Sequence, residues 1–181
     1  DAPECNRFAC REFKNVAGNA SSPAWMQQRL TQAGMRPISL LVDLTNYVML
    51  ELGQPLHAFD RDKLSGGRIV VRHATPGEKL TTLNGEEHTL SGQMMICDAA
   101  KPVGVPGVMG GLDTEVSEST ETILLESANF QNITVRKTRK QLGLGTEASY
   151  RFERSVDPDG VVGAVRRFTQ LLLQSSPEAH V

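Results

Sequence analysis

No apolar run in the sequence approaches the ~20 residues needed to cross a bilayer, which excludes a membrane-spanning helix. The opening DAPECNRFAC likewise lacks the apolar segment of a secretory signal, so a cytoplasmic protein is expected. Cysteine is scarce and odd in number, at three. Cys5 and Cys10, if on one extended strand, would lie roughly 17 Å apart and face opposite ways, which argues against a disulfide framework. Neither a Cys-x-x-Cys nor a His-x-x-x-His spacing occurs, so no metal site is expected. Internal repeats and low-complexity linkers are also missing, and 181 residues is the size of one domain. A chain of 19.8 kDa buries roughly 70% of the surface it exposes when unfolded, enough for a core without staples.

The 19 basic and 21 acidic residues nearly cancel but are unevenly placed. Asp113 to Glu126 holds five acids and no base, while Arg136 to Arg154 holds six bases against Glu147 and Glu153. The second stretch is a candidate phosphate-contacting surface, with a solvated helix face as the plainer reading.

Helix signals predict segments over Pro23 to Ala33, Leu40 to Leu52 with Gly53 as terminator, Asn132 to Leu142, and a last helix from near Pro158. Val161, Val165, Phe168 and Leu172 make an apolar stripe along the last. Strands are predicted over Arg68 to Ala74, Gln93 to Asp98 and Thr122 to Ser127, with a hairpin of Lys79 to Leu83 and Glu86 to Leu90 around Asn84-Gly85. Strands and helices are segregated, so the class is α+β. The tail from Ser175 to Val181 is expected to fray or to lead to a further domain.

Chemistry is expected in Val42 to Asp60, Pro102 to Gly111 and Gly143 to Arg154, which hold more glycine and polar residues than a plain core. The glycines of Pro102 to Gly111 permit turns or close approach of a ligand, but no lysine follows as in a phosphate-binding loop. His57 reads as a loop residue, structural or catalytic. No nucleophile-elbow spacing occurs, which disfavours a covalent mechanism.

The run Val42-Asp-Leu-Thr-Asn-Tyr-Val-Met-Leu-Glu-Leu-Gly-Gln-Pro-Leu-His-Ala-Phe-Asp60 resembles the editing domain of the bacterial phenylalanyl-tRNA synthetase β subunit. Gly34-Met-Arg-Pro37, Gly107-Val-Met-Gly-Gly111, Leu125-Glu-Ser-Ala128, Thr146-Glu-Ala-Ser-Tyr-Arg-Phe-Glu-Arg154 and Val156-Asp-Pro158 match in order. The resemblance implies a single α+β domain over residues 1–174, with a β-sandwich-like core of unusual topology and packed helices. It also implies hydrolysis of tyrosine wrongly attached to tRNA(Phe), the alternative being a noncatalytic module that holds tRNA or a neighbouring subunit. His57 and Thr146 are the implied catalytic residues, and Arg36, Asn46, Gly107, Gly110, Glu126 and Ala148 the substrate-binding ones. Glu126, ending an apolar strand where an ionised carboxylate would need a partner, would accept the phenol, the plainer reading being a strand-end carboxylate paired with a nearby arginine. Gly107, Gly110 and Ala148 would leave room for the ring. Arg136, Lys137, Arg139 and Lys140 would contact tRNA. Editing needs no cofactor, whereas ATP and Mg2+ serve only the complete synthetase, an α2β2 assembly of the α subunit with the rest of the β subunit. Asn84, Pro106 and Ser155 depart from the family's usual residues, and Ser155 stands where glycine is common.

Overall fold

The computed structural model describes residues 2–181. Among the described residues three antiparallel sheets and five α-helices make up the fold, in agreement with the α+β expectation. The first sheet has the order β1-β9-β2, formed by Cys5–Lys14, Thr122–Phe130 and Leu56–Asp60. The second, of order β3-β6-β7-β8, comprises Val70–His73, Met94–Cys97, Pro102–Val105 and Met109–Gly110. The hairpin β4-β5, Lys79–Thr81 with Glu87–Thr89, closes over Asn84-Gly85, where Gly85 takes a φ of +83°.

Strand β9 is central, and its side chains alternate between two cores. Ile123 and Leu125 point into a core shared with helices α1 (Ala24–Gln32), α2 (Leu40–Leu52) and α5 (Gly160–Ser175). Leu124, Ala128 and Phe130 point into the other core, against Met94, Met95 and Ile96 of β6 and Val103 and Val105 of β7. A strand covered on both faces explains the near-continuous apolar run TILLESANF. The two sheets therefore sandwich one core, and helices cover the outer face of the three-stranded sheet.

Several elements differ from the sequence expectation. β9 runs on past Ser127 to Phe130, so Glu126 sits in mid-strand with Leu124 and Ala128 to either side of it on the same face. His57, expected in a loop, is the second residue of strand β2; a five-residue strand directly after Pro55 leaves little alternation to detect. The glycine-rich stretch from Pro102 folds into β7 and β8, joined by a turn in which Val108 N–H donates to the Val105 carbonyl at 3.0 Å. Pro106 and Gly107, with φ +67°, occupy its centre in the order that a type II turn favours, which gives the proline a local role. The tail, expected to fray or to lead to a further domain, is tied to β1: Lys14 and His180 exchange backbone hydrogen bonds of 2.9 and 3.0 Å, and Ala179 is buried.

Helix α3 (Asn132–Leu142) ends on Gly143 and carries the predicted basic run. The short helix α4 (Glu147–Phe152), missed in the sequence, is started by a capping box: Thr146 Oγ1 accepts from Ser149 N–H and Ser149 Oγ accepts from Thr146 N–H. Ser155 then holds a φ of +75°, a left-handed conformation that a side chain resists. Replacing Ser155 with Gly is therefore expected to raise stability by about 1 kcal/mol, read as a rise in denaturant midpoint at constant slope. An unchanged or lower midpoint would refute strain at this position.

Candidate active site

Between the two sheets lies a pocket with about 410 Å³ of space, counted to its open mouth. Its walls are largely apolar, with Phe59, Ile96, Val105, Val108, Met109 and Phe152 among them. Into it project two polar side chains, His57 and Glu126. Register brings them together: β2 pairs antiparallel with β9 so that His57 is directly opposite Glu126, and opposed residues share a face. On its other side Glu126 pairs with Cys10 of β1.

Glu126 is only 6% exposed, and its Oε2 is buried with no hydrogen-bond partner. Burial without a compensating charge pushes its carboxyl up from 4.5 to about 8, so the side chain is a neutral acid at pH 7. No arginine pairs with it among the described residues, so it is not the strand-end ion pair of the plainer reading. His57 Nε2 is likewise enclosed and unpartnered, although the residue keeps some accessible surface. Desolvation lowers the imidazole from 6.5 to about 4, so it is neutral as well. The ring meets Phe59 edge to face, with centroids 4.5 Å apart. Two neutral hydrogen-bonding groups, each with an unused atom, thus face an apolar enclosure.

Two of the glycines lie hard against side chains of the pocket. A Cβ on Gly110 would come within 2.6 Å of His57 Nε2, so glycine here gives the imidazole its seat. At Gly107 a Cβ would lie 2.9 Å from Phe152 Cδ2, and the positive φ demands glycine in any case. Ala148 and Phe152, four residues apart on α4, present one helix face to the pocket.

Of the residues singled out in the sequence, His57, Gly107, Gly110, Glu126 and Ala148 meet in this pocket. Thr146 does not line it. Its hydroxyl caps α4 and donates to the Val108 carbonyl at 2.7 Å, a bond that ties the helix to the pocket wall. Arg36 is exposed before α2 and Asn46 is half-buried on α2; neither lines the pocket. Arg136, Lys137 and Lys140 are exposed on α3, whereas Arg139 is held by Glu153 at 2.9 Å. The sequence reading missed Phe59 and Phe152 as walls. Their spacing was the available signal, two residues from His57 on a strand and four from Ala148 on a helix. No helix is long and apolar enough to span a membrane, and no cluster of three metal-binding side chains occurs, among the described residues.

The fold is thus an α+β domain with a buried acid and an imidazole in a largely apolar pocket between two of its sheets. The chain belongs to the B3/4 domain family, whose profile matches residues 4–177. It is 53% identical over 175 residues to a protein of Moorella thermoacetica named phenylalanine-tRNA ligase beta subunit, covering 96% of this chain and 22% of that protein. It is 51% identical over 162 residues to the subunit of the same name from Carboxydothermus hydrogenoformans, covering 89% of this chain and 20% of the other. The chain therefore spans about a fifth of the length of these relatives. An N-terminal fragment of the phenylalanyl-tRNA synthetase beta subunit from Pyrococcus horikoshii shares the fold, with a TM-score of 0.51 at 15% identity over 78% of this chain and 46% of that one.

The raised carboxyl has a consequence for stability. Between about pH 4.5 and pH 8 an unfolded Glu126 has lost the proton that the fold retains, so stability falls as pH rises through that window and levels off above it. Glu126→Gln removes this titration. The melting temperature of the variant minus that of the wild type is expected to grow from pH 5 to pH 8 and then plateau, followed by calorimetry; a difference independent of pH would show that Glu126 titrates normally.

Proposed function

We propose that this domain hydrolyses the ester joining tyrosine to tRNA(Phe), as the proofreading part of a phenylalanine-tRNA ligase β subunit. The observation that carries the reading is the unpartnered Oε2 of Glu126 in an otherwise apolar pocket. Such an atom forfeits hydrogen bonding unless a ligand supplies it. Tyrosine brings a hydroxyl to it; phenylalanine leaves it orphaned. A site that synthesises phenylalanyl-tRNA only weakly rejects an analogue that merely adds a hydroxyl, with discrimination of order 10² in the comparable case, so a second site must read that hydroxyl positively. The neutral acid can accept the phenol proton at one oxygen and donate from the other, so it suits a neutral phenol without burying a charge.

An aminoacyl ester is already activated towards water, so the pocket needs chiefly to hold the acyl group and place a water molecule against its carbonyl carbon. His57 Nε2 is the available acceptor for that water. With a pKa near 4 it orients the water more than it deprotonates it, and a ribose hydroxyl can share that task. Covalent catalysis is disfavoured: Cys97, next to Ile96 of the wall, is pushed up to about 11, chiefly by burial, and stays a thiol. Hydrolysis by this route uses no cofactor; ATP and Mg2+ belong to aminoacylation by the whole enzyme. Arg36 and Asn46, outside the pocket, suit the nucleoside end of the substrate. The partners on this reading are tyrosyl-tRNA(Phe), the α subunit and the remainder of the β subunit in an α2β2 enzyme.

Single-turnover deacylation of tyrosyl-tRNA(Phe) and phenylalanyl-tRNA(Phe) tests the assignment. Glu126→Ala is expected to narrow the ratio of the two rates by roughly 5- to 150-fold, the worth of one buried hydrogen bond of about 1–3 kcal/mol. Equal losses for both esters in a folded variant would return Glu126 to a purely structural role.

A further inference from the structure

Helix α4 is used on two sides. Ala148 and Phe152 face the pocket, whereas Tyr150 lies about 200° round the helix from Ala148. There it lines a separate open cleft, with about 640 Å³ of space, together with Thr146, Glu147, Ser149, Arg139 and Glu153. Tyr150 is 56% exposed, and its hydroxyl has no hydrogen-bond partner among the described residues. A ring placed for packing would be covered, and one placed for its hydroxyl would be bonded.

The exposed ring is nevertheless held in a defined setting. Arg154, one turn further on, lies with its guanidinium carbon 3.7 Å from the ring centroid. That guanidinium is itself fixed, since Nη1 donates to the Tyr150 carbonyl at 2.8 Å and to Glu153 at 2.7 Å. Glu153 in turn anchors Arg139 of α3, so the two helices are joined beneath the cleft. Arg136, one turn before Arg139 and on the same side of α3, is exposed and has no ion-pair partner among the described residues. Aromatic rings and guanidinium planes beside free cations are the elements with which proteins hold single-stranded RNA: the planes stack on bases and the cations meet phosphates.

We propose that Tyr150 and Arg154 form a stacking platform for an unpaired RNA base, one belonging to a nucleotide upstream of the nucleotide whose ester enters the pocket. This rests on the hydrolytic reading given above. Because the platform is on the far side of α4 from the pocket, the esterified nucleoside itself does not reach it; the RNA strand passes around the helix end at Thr146. Tyr150 is thus a positioning residue, setting how the strand is held and leaving the reacting groups untouched.

The test compares wild type, Tyr150→Ala and Tyr150→Phe in the intact protein that carries this chain. Two probes are used: a fluorescent single-stranded RNA tetranucleotide ending in CCA, titrated for affinity, and 3′-O-tyrosyl-adenosine, followed for hydrolysis. Loss of one base stack should weaken tetranucleotide binding by Tyr150→Ala about 5- to 150-fold, while Tyr150→Phe binds as the wild type does. Hydrolysis of the nucleoside ester should be the same in all three. The platform is overturned if the wild type does not bind the tetranucleotide, if Tyr150→Ala binds it equally well, if Tyr150→Phe is as weak as the alanine variant, or if the alanine variant also loses nucleoside-ester hydrolysis. Failure of the wild type to hydrolyse the ester at all counts against the hydrolytic reading alone, because the binding comparison stands without it.

Discussion

A carboxyl group buried in the middle of a strand whose neighbours are Leu124, Leu125 and Ala128 is the constraint around which the pocket is arranged. Alternation along β9 puts Glu126 on the face that looks at the second sheet, where Ala128 and Phe130 pack against apolar partners. At the Glu126 position the sandwich opens into a pocket instead. Leaving an acid there without a partner costs on the order of 1–3 kcal/mol. The fold lowers that cost by keeping the proton on, and among the described residues no cation sits beside the acid to compensate it. The features nearby follow from this. His57 faces the acid as a neutral ring, Gly110 yields its Cβ space to that ring, and Gly107 of the Pro106-Gly107 turn lies hard against Phe152 of the wall.

Helix α4 links this enclosure to the exterior. Its six residues are too few to show a helical period, yet each side has a distinct task. Thr146 holds the helix start to the pocket wall through Val108, Ala148 leaves space, Phe152 closes the wall, and Tyr150 with Arg154 faces outward. A ligand too long for the pocket would meet both sides of the same helix.

Much of the fold was legible because long amphipathic or apolar segments announce themselves: the α2 and α5 stripes, the Asn84-Gly85 hairpin and the start of β9 stand where the residues predict them. Short elements were not. β2 has five residues, β8 two and α4 six, below the length at which a period can be read. That His57, Glu126 and Ala148 line one pocket had no local signature, since they are up to 91 positions apart, and the resemblance that grouped them also named Thr146, Arg36 and Asn46, which lie outside it. Their chemistry was not legible either. Whether Glu126 is ionised depends on the absence of a nearby cation, and whether Gly110 serves the ligand or His57 depends on a contact across two sheets. Neither fact has a signature in the local sequence. Ser155 shows the converse: its positive φ is a backbone requirement that favours glycine and that the side chain tolerates at a cost.

Glu126 on this reading is a neutral, unpartnered acid that a ligand's hydroxyl completes. Carbon-13 NMR of the glutamate carboxyls reports this directly, in the free protein and with non-hydrolysable amide analogues of tyrosyl- and phenylalanyl-adenosine. One carboxyl, absent from the spectrum of Glu126→Gln, should titrate near pH 8 in the free protein. The tyrosyl analogue should shift that resonance and its titration, and the phenylalanyl analogue should leave its hydrogen-bonding state as in the empty pocket. Titration near pH 4.5, or the same response to both analogues, would contradict the account.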